Sequence, residues 1–136
     1  MDVESGAAVG EGIRRWVQSF NSADLEGLLS LYGDRAVLVP TTQPHPLTGI
    51  AELRVYFERV MSRRPRLHAR LHEPLAVRLY GEWALCSGCY DFREGDSTEA
   101  VWMPARFSFC WRREGKAWRI LDHHSSFAPG SPSSGA

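Results

Sequence analysis

Asp122-His123-His124-Ser125-Ser126 is the stretch of this chain richest in groups that exchange protons or attack carbonyls. Asp122, His124 and Ser126 alternate, and they are the residue types of a hydrolytic triad. On a strand, alternate side chains share a face but stand about 7 Å apart. Asp122 is thus placed to orient His124, but a reactive serine needs an exposed, strained turn and an oxyanion hole. No G-x-S-x-G turn occurs in the sequence. His123 and His124 cannot share a metal, because neighbours on a strand point apart. The stretch reads as a hydrogen-bonded strand end whose two faces serve different purposes.

Two other groupings invite the same scrutiny. Cys86 and Cys89 form C-S-G-C, but residues three apart on a strand lie on opposite faces and cannot jointly hold a metal. His68 and His72 are about 13 Å apart in an extended segment, too far to act together. An odd cysteine count and the lack of zinc-type Cys and His spacing fit packed thiols in a reducing compartment. No metal and no cofactor are expected.

The elements that place these groups are legible in the periodicity. Val9, Ile13, Trp16, Val17 and Phe20 give one helix an apolar side. Asn21-Ser22 can cap a second, with Leu25, Leu28, Leu29 and Tyr32 repeating the spacing until Gly33. Ala36–Val39 is a short apolar run closed by Pro40, and TTQPHPLTG is a loop. Ile50, Leu53, Tyr56, Phe57, Val60 and Met61 mark a third helix, ended by Pro65. Thereafter the period becomes two. LHEPLAVRLY, WALCSGCYDF, WMPARFSFCWRR and WRILDHHSSF read as antiparallel strands with short connections. Helices first and strands later predict an α+β domain with helices on one face of a curved sheet. Residues 1–128 are expected to form one domain, and 129–136 a small, polar, disordered tail.

Strand parity sorts the side chains. Phe107, Phe109 and Trp111 share one face, with Trp118 and Ile120 on the matching face of the last strand; Arg106 and Ser108 share the other with His123 and Ser125. With 136 residues the chain suits a single core, and sixteen basic residues against sixteen acidic leave no net charge to attract nucleic acid or an anionic membrane. The absence of a membrane-length apolar run or a signal-peptide pattern suggests a cytoplasmic protein.

Three stretches carry a family resemblance: WVQSFNSADLEGLLSLYGDRAVLVPT, PARFSFCWRREGKAW and WRILDHHSSFAP. In their order and spacing, over about nine-tenths of the chain, the sequence resembles the nuclear-transport-factor-2-like superfamily. The likeness is to SnoaL-like and SgcJ/EcaC-type proteins related to the association domain of calcium/calmodulin-dependent kinase II. That resemblance implies a cone-shaped fold, with a curved antiparallel sheet wrapped over three helices and a cavity on the concave side. It also implies a homodimer through the convex face. Phe107, Phe109, Trp111, Trp118 and Ile120 then suit the subunit interface, while Tyr90, Arg106, Ser108, His123 and Ser125 face the cavity. Trp16, Phe20, Tyr32 and Phe57 supply its apolar walls. The inverse arrangement puts the aromatic face on the helices and the polar face in water, and one bulge decides between them.

Members of such families act as cyclases, isomerases or dehydratases, or bind and assemble without chemistry. The expected function is small-molecule binding in a half-apolar cavity, with an enzymatic or accessory role in polyketide-like biosynthesis. In that role Arg106 would bind an oxyanion and His123 would exchange a proton. The association domains carry arginines where this chain has Tyr90 and Ser125, which leaves Arg106 as the main anion contact. Arg106 has an alternative role as a buried arginine held by Glu73 or Asp91. The alternative function is a non-catalytic homo-oligomerisation module.

Overall fold

The computed structural model describes residues 3–63, 67–95 and 101–130. Helix α1 spans Val3–Ser22 and buries Val9, Ile13, Trp16 and Phe20 along one stripe. Gly12 lies on the same side because a Cβ there would stand 2.8 Å from the Trp111 ring. Asp24 caps α2, Leu25–Leu29, by accepting a 2.9 Å bond from the Gly27 N–H.

Helix α2 is shorter than its apolar spacing predicts. Tyr32 opens strand β1, Tyr32–Val39, instead of closing the helix. The sheet captures the chain at this point: the Ile120 N–H donates to the Leu31 carbonyl at 2.7 Å. A buried tyrosine satisfies helical and strand patterns alike, so periodicity could not separate them. The loop after Pro40 leads to β2, Leu47–Thr48, and Gly49, at φ +86°, turns the chain into α3, Ile50–Met61. Leu53, Phe57 and Met61 form its buried stripe. The expected terminator Pro65 lies outside the described residues.

Strands β3, Leu67–Tyr80, β4, Trp83–Glu94, β5, Met103–Glu114, and β6, Ala117–Phe127, follow. The six strands are ordered β2-β1-β6-β5-β4-β3. Pro74 is tolerated in β3 because that strand is at the sheet edge, where the register with β4 shifts between His72 and Ala76. The β3 to β6 ladders are antiparallel as predicted, whereas β1 runs parallel to β6. Parallel pairing needs a long connection, and the chain between these two strands supplies one. The tail from 131 onward, expected to be disordered, lies outside the described residues.

The orientation of the sheet corrects one expectation. Phe107, Phe109, Trp111, Trp118 and Ile120 are buried within the single chain and belong to its core, not to an exposed interface. Phe109 meets Trp16 of α1 edge-on at 6.4 Å. Covering the helices removes most of this aromatic area from water, which outweighs any arrangement that leaves it exposed. His123 and Ser125 are buried on the same side. A bulge makes this possible: Cys110 pairs with Asp122 but Trp111 pairs with Ile120, so Leu121 is the extra residue. Ile120 and His123, opposite by simple alternation, thereby share the concave face.

Candidate functional site

Between the curled sheet and helices α1 and α3 lies a cavity of about 340 Å³. Its walls are mainly apolar: Trp16 and Phe20 from α1, Phe57 and Val60 from α3, Leu38 from β1 and Phe92 from β4. Trp16 stacks on Phe20 at 5.1 Å and meets Phe57 edge-on at 6.4 Å, so the wall is a rigid aromatic assembly. Tyr90, His123, Ser125 and Thr41 give the cavity its polar side.

These polar groups form one connected row. The Trp16 Nε1–H donates to Tyr32 Oη at 2.9 Å, and Tyr32 Oη is 2.9 Å from His123 Nδ1. On the other side of the imidazole, Nε2 is 3.2 Å from Tyr90 Oη. Tyr90 donates to Ser125 Oγ at 2.6 Å, which is 2.6 Å from Thr41 Oγ1. The His123 ring stacks on Phe109 at 4.0 Å and takes Trp16 edge-on at 5.5 Å. Both ring nitrogens are thus engaged and both ring surroundings are aromatic.

Burial, with a smaller contribution from charge repulsion by the neighbouring His124, pushes the His123 pKa down to about 3. The imidazole is therefore neutral at physiological pH. Burial also raises the Tyr90 and Tyr32 phenols above their ordinary range, although the bonds to Ser125 and Trp16 oppose this. Every group in the row is uncharged near pH 7. The charges at the cavity are Arg63 and Glu94, paired with each other and both half-exposed at the rim.

Of the residues selected from sequence, Trp16, Phe20, Phe57, Tyr90, His123 and Ser125 line the cavity, and Tyr32 stands behind His123. Arg106 and Ser108 do not join them. Both are exposed on the convex face, where Arg106 donates to Ser126 Oγ at 3.0 Å and Ser108 Oγ lies 3.2 Å from Ser87 Oγ. They alternate with the inward aromatics of β5, so the same parity that buries Phe107 and Phe109 turns them out. Neither Glu73 nor Asp91 holds Arg106: Glu73 pairs with Arg14, and Asp91 with Arg70 and His72. No group of three or more His, Cys, Asp or Glu that could hold a metal is present among the described residues.

Sequence reasoning did not find Thr41, or the Arg63–Glu94 pair. Thr41 lies in a loop, where no periodicity reports orientation, and the ion pair joins the end of α3 to the end of β4. Cys86 is buried and Cys89 exposed, as opposite faces of one strand require.

The SnoaL-like domain family matches residues 9–130. No curated protein matches the chain. Among solved structures, an NTF2-like protein of unknown function from Pseudomonas putida KT2440 is 23% identical, covering 98% of this chain and 93% of that one, with a TM-score of 0.86. A candidate dehydratase of the NTF2-like family from Streptomyces avermitilis is 19% identical over 92% of this chain and 96% of that one, TM-score 0.81. A candidate calcium/calmodulin-dependent kinase II association domain from Xanthomonas campestris is 23% identical over 96% and 90%, TM-score 0.77. At these identities the likeness is one of fold, and it agrees with the α+β architecture described above. No described helix is long and apolar enough to cross a membrane.

Proposed function

Because this chain belongs to the SnoaL-like domain family, we propose that it is a small-molecule-binding protein whose cavity takes an uncharged ring compound of one or two rings. The observation that carries this reading is a cavity with apolar walls and a row of neutral, mutually hydrogen-bonded groups, in which the lining charges Arg63 and Glu94 are paired with each other. Its volume of about 340 Å³ is near the lower end of ligand pockets, roughly 300–1,000 Å³. A charged ligand would lose its hydration without gaining an unpaired opposite charge, since Arg63 and Glu94 neutralise each other. With Arg106 outside, the oxyanion-binding role expected for it passes to neutral hydroxyl donors.

The same features bear on chemistry. His123 is too strongly biased to its neutral form to collect a proton alone; it holds Tyr90 and, through it, Ser125 in place. Isomerase-, cyclase- or dehydratase-type turnover would pass a proton along this row, and the dehydratase description of a structural neighbour is consistent with that class. An accessory place in natural-product biosynthesis, on polyketide-like rings, is the corresponding cellular reading.

The test is a titration with 1-indanone, read as quenching of the intrinsic tryptophan fluorescence, to which Trp16 in the cavity wall contributes. Saturable quenching is expected. Tyr90→Phe should weaken binding about tenfold, the scale of one net hydrogen bond of ~1.4 kcal/mol. Arg106→Ala should leave it unchanged. No saturation, or equal losses in both variants, would remove the cavity from consideration.

Homodimeric assembly is a second reading, favoured by one feature of the convex face. Tyr80 and Trp83, 59% and 43% exposed, are cross-strand partners, and Arg112 lies over the Trp83 ring at 5.3 Å. Exposed aromatics with an arginine are typical of interface centres. Sedimentation of the wild type and of Trp83→Ala at micromolar concentration decides: a monomer in both cases removes this reading.

A further inference from the structure

The row of hydrogen bonds has a direction, and its starting point is a group that can only donate. An indole N–H has no acceptor function, so Tyr32 Oη must accept from Trp16. The Tyr32 hydrogen then needs an acceptor, and His123 Nδ1 is 2.9 Å away. A neutral imidazole that accepts at Nδ1 carries its hydrogen on Nε2 and donates it to Tyr90 Oη. Tyr90 in turn donates to Ser125. Ser125, having accepted there, lies 2.6 Å from Thr41 Oγ1, and either hydroxyl can donate in that bond. Each step leaves one hydrogen for the next, and the Ser125–Thr41 pair, two hydroxyls joined by one bond, is left with one to spare.

The reverse order fails at its first step. If Nδ1 carried the hydrogen, Tyr32 Oη would accept from both Trp16 and His123, and its own hydrogen would be stranded in the core. Tyr32 is 4% exposed. Buried polar hydrogens are seldom left without an acceptor, so the forward order is the one in which every group is used.

We propose that the Trp16 indole sets the polarity of the row, so that its one uncommitted hydrogen lies on the Ser125–Thr41 pair at the cavity wall and selects ligands bearing an acceptor oxygen of ketone, enone or ester type. This rests on the reading of the cavity as a ligand site. It adds what that reading leaves open: the site offers a donor. Tyr32 does not line the cavity, so it acts through His123 as a positioning residue.

Two measurements on the full chain test this. The first is the imidazole nitrogen NMR spectrum of the unliganded protein. His123 should show a protonated Nε2 and a bare Nδ1, and the opposite tautomer overturns the proposal. The second compares three bicyclic probes of one size: 1-indanone, an acceptor; indole, a donor; and indane, neither. Indanone should bind about tenfold more tightly than indane, and indole no more tightly than indane. Equal affinities, or indole as the best ligand, overturn the polarity while leaving the cavity reading intact. If no probe binds, the cavity reading falls and this inference with it. In Tyr32→Phe the preference for indanone over indane should shrink and the tautomer should be released. An unchanged ratio with an unchanged tautomer would refute the role given to Tyr32. Should that variant fail to fold, the wild-type tautomer still decides.

Discussion

Burial pushes the His123 imidazole down to about 3, whereas in the unfolded chain a histidine titrates near 6.5. Above about pH 6.5 neither state holds the proton, and His123 contributes nothing to pH dependence. As the pH falls from there toward 3, the unfolded chain takes up the proton first, so stability is lost by about 1.4 kcal/mol per pH unit. We expect about 2 kcal/mol of destabilisation at pH 5 relative to pH 7 from this residue, read from urea denaturation midpoints. His123→Gln should be less stable at pH 7 but should lose that share of the slope; an identical slope would contradict the burial effect. The family resemblance, taken together with strand parity, selected Tyr90, His123 and Ser125 from the sequence. Arg106 and Ser108 were placed wrongly because the face of β5 was inferred from the face of β6, and the extra residue Leu121 separates the two.

Helix α1 meets the sheet at very different distances along its length. At Gly12 a Cβ would stand 2.8 Å from Trp111 Cη2, whereas at Gly6 the nearest atom, Leu79 Cδ1, would be 3.9 Å away. Gly12→Ala should therefore destabilise by about 1–3 kcal/mol through overpacking. Gly6→Ala should stabilise by about 0.5–1 kcal/mol, because alanine costs less chain entropy than glycine in a helix. Thermal denaturation of the two variants should show shifts of opposite sign, and shifts of one sign would refute the packing described. The contact at Gly12 was not legible in the sequence, since a glycine in a helical pattern reads only as a weak point. Helices α1 and α3 and strands β3 to β6 were legible because each repeats its period over many residues. The boundary between α2 and β1 was not, because Leu31 and Tyr32 are claimed by the sheet, a contact far away in the chain.

For the whole molecule, the equal numbers of acidic and basic side chains place the isoelectric point near 7.0. Without net charge, nothing opposes association at close approach. Solubility in low salt should be lowest near pH 7 and rise by pH 8.5, as precipitation with polyethylene glycol at low ionic strength can measure; a flat profile would show that local patches such as Tyr80 and Trp83 dominate instead. The sequence by itself determined the fold class, most of the elements and the residue types of the cavity, because these follow from local periodicity and side-chain chemistry. Only the tertiary structure decided which face of the sheet turns inward, that Thr41 from a loop completes the polar row, and that Trp16 anchors it. Those outcomes depend on one bulge and on contacts between distant segments, where a shift of a single residue exchanges inside for outside.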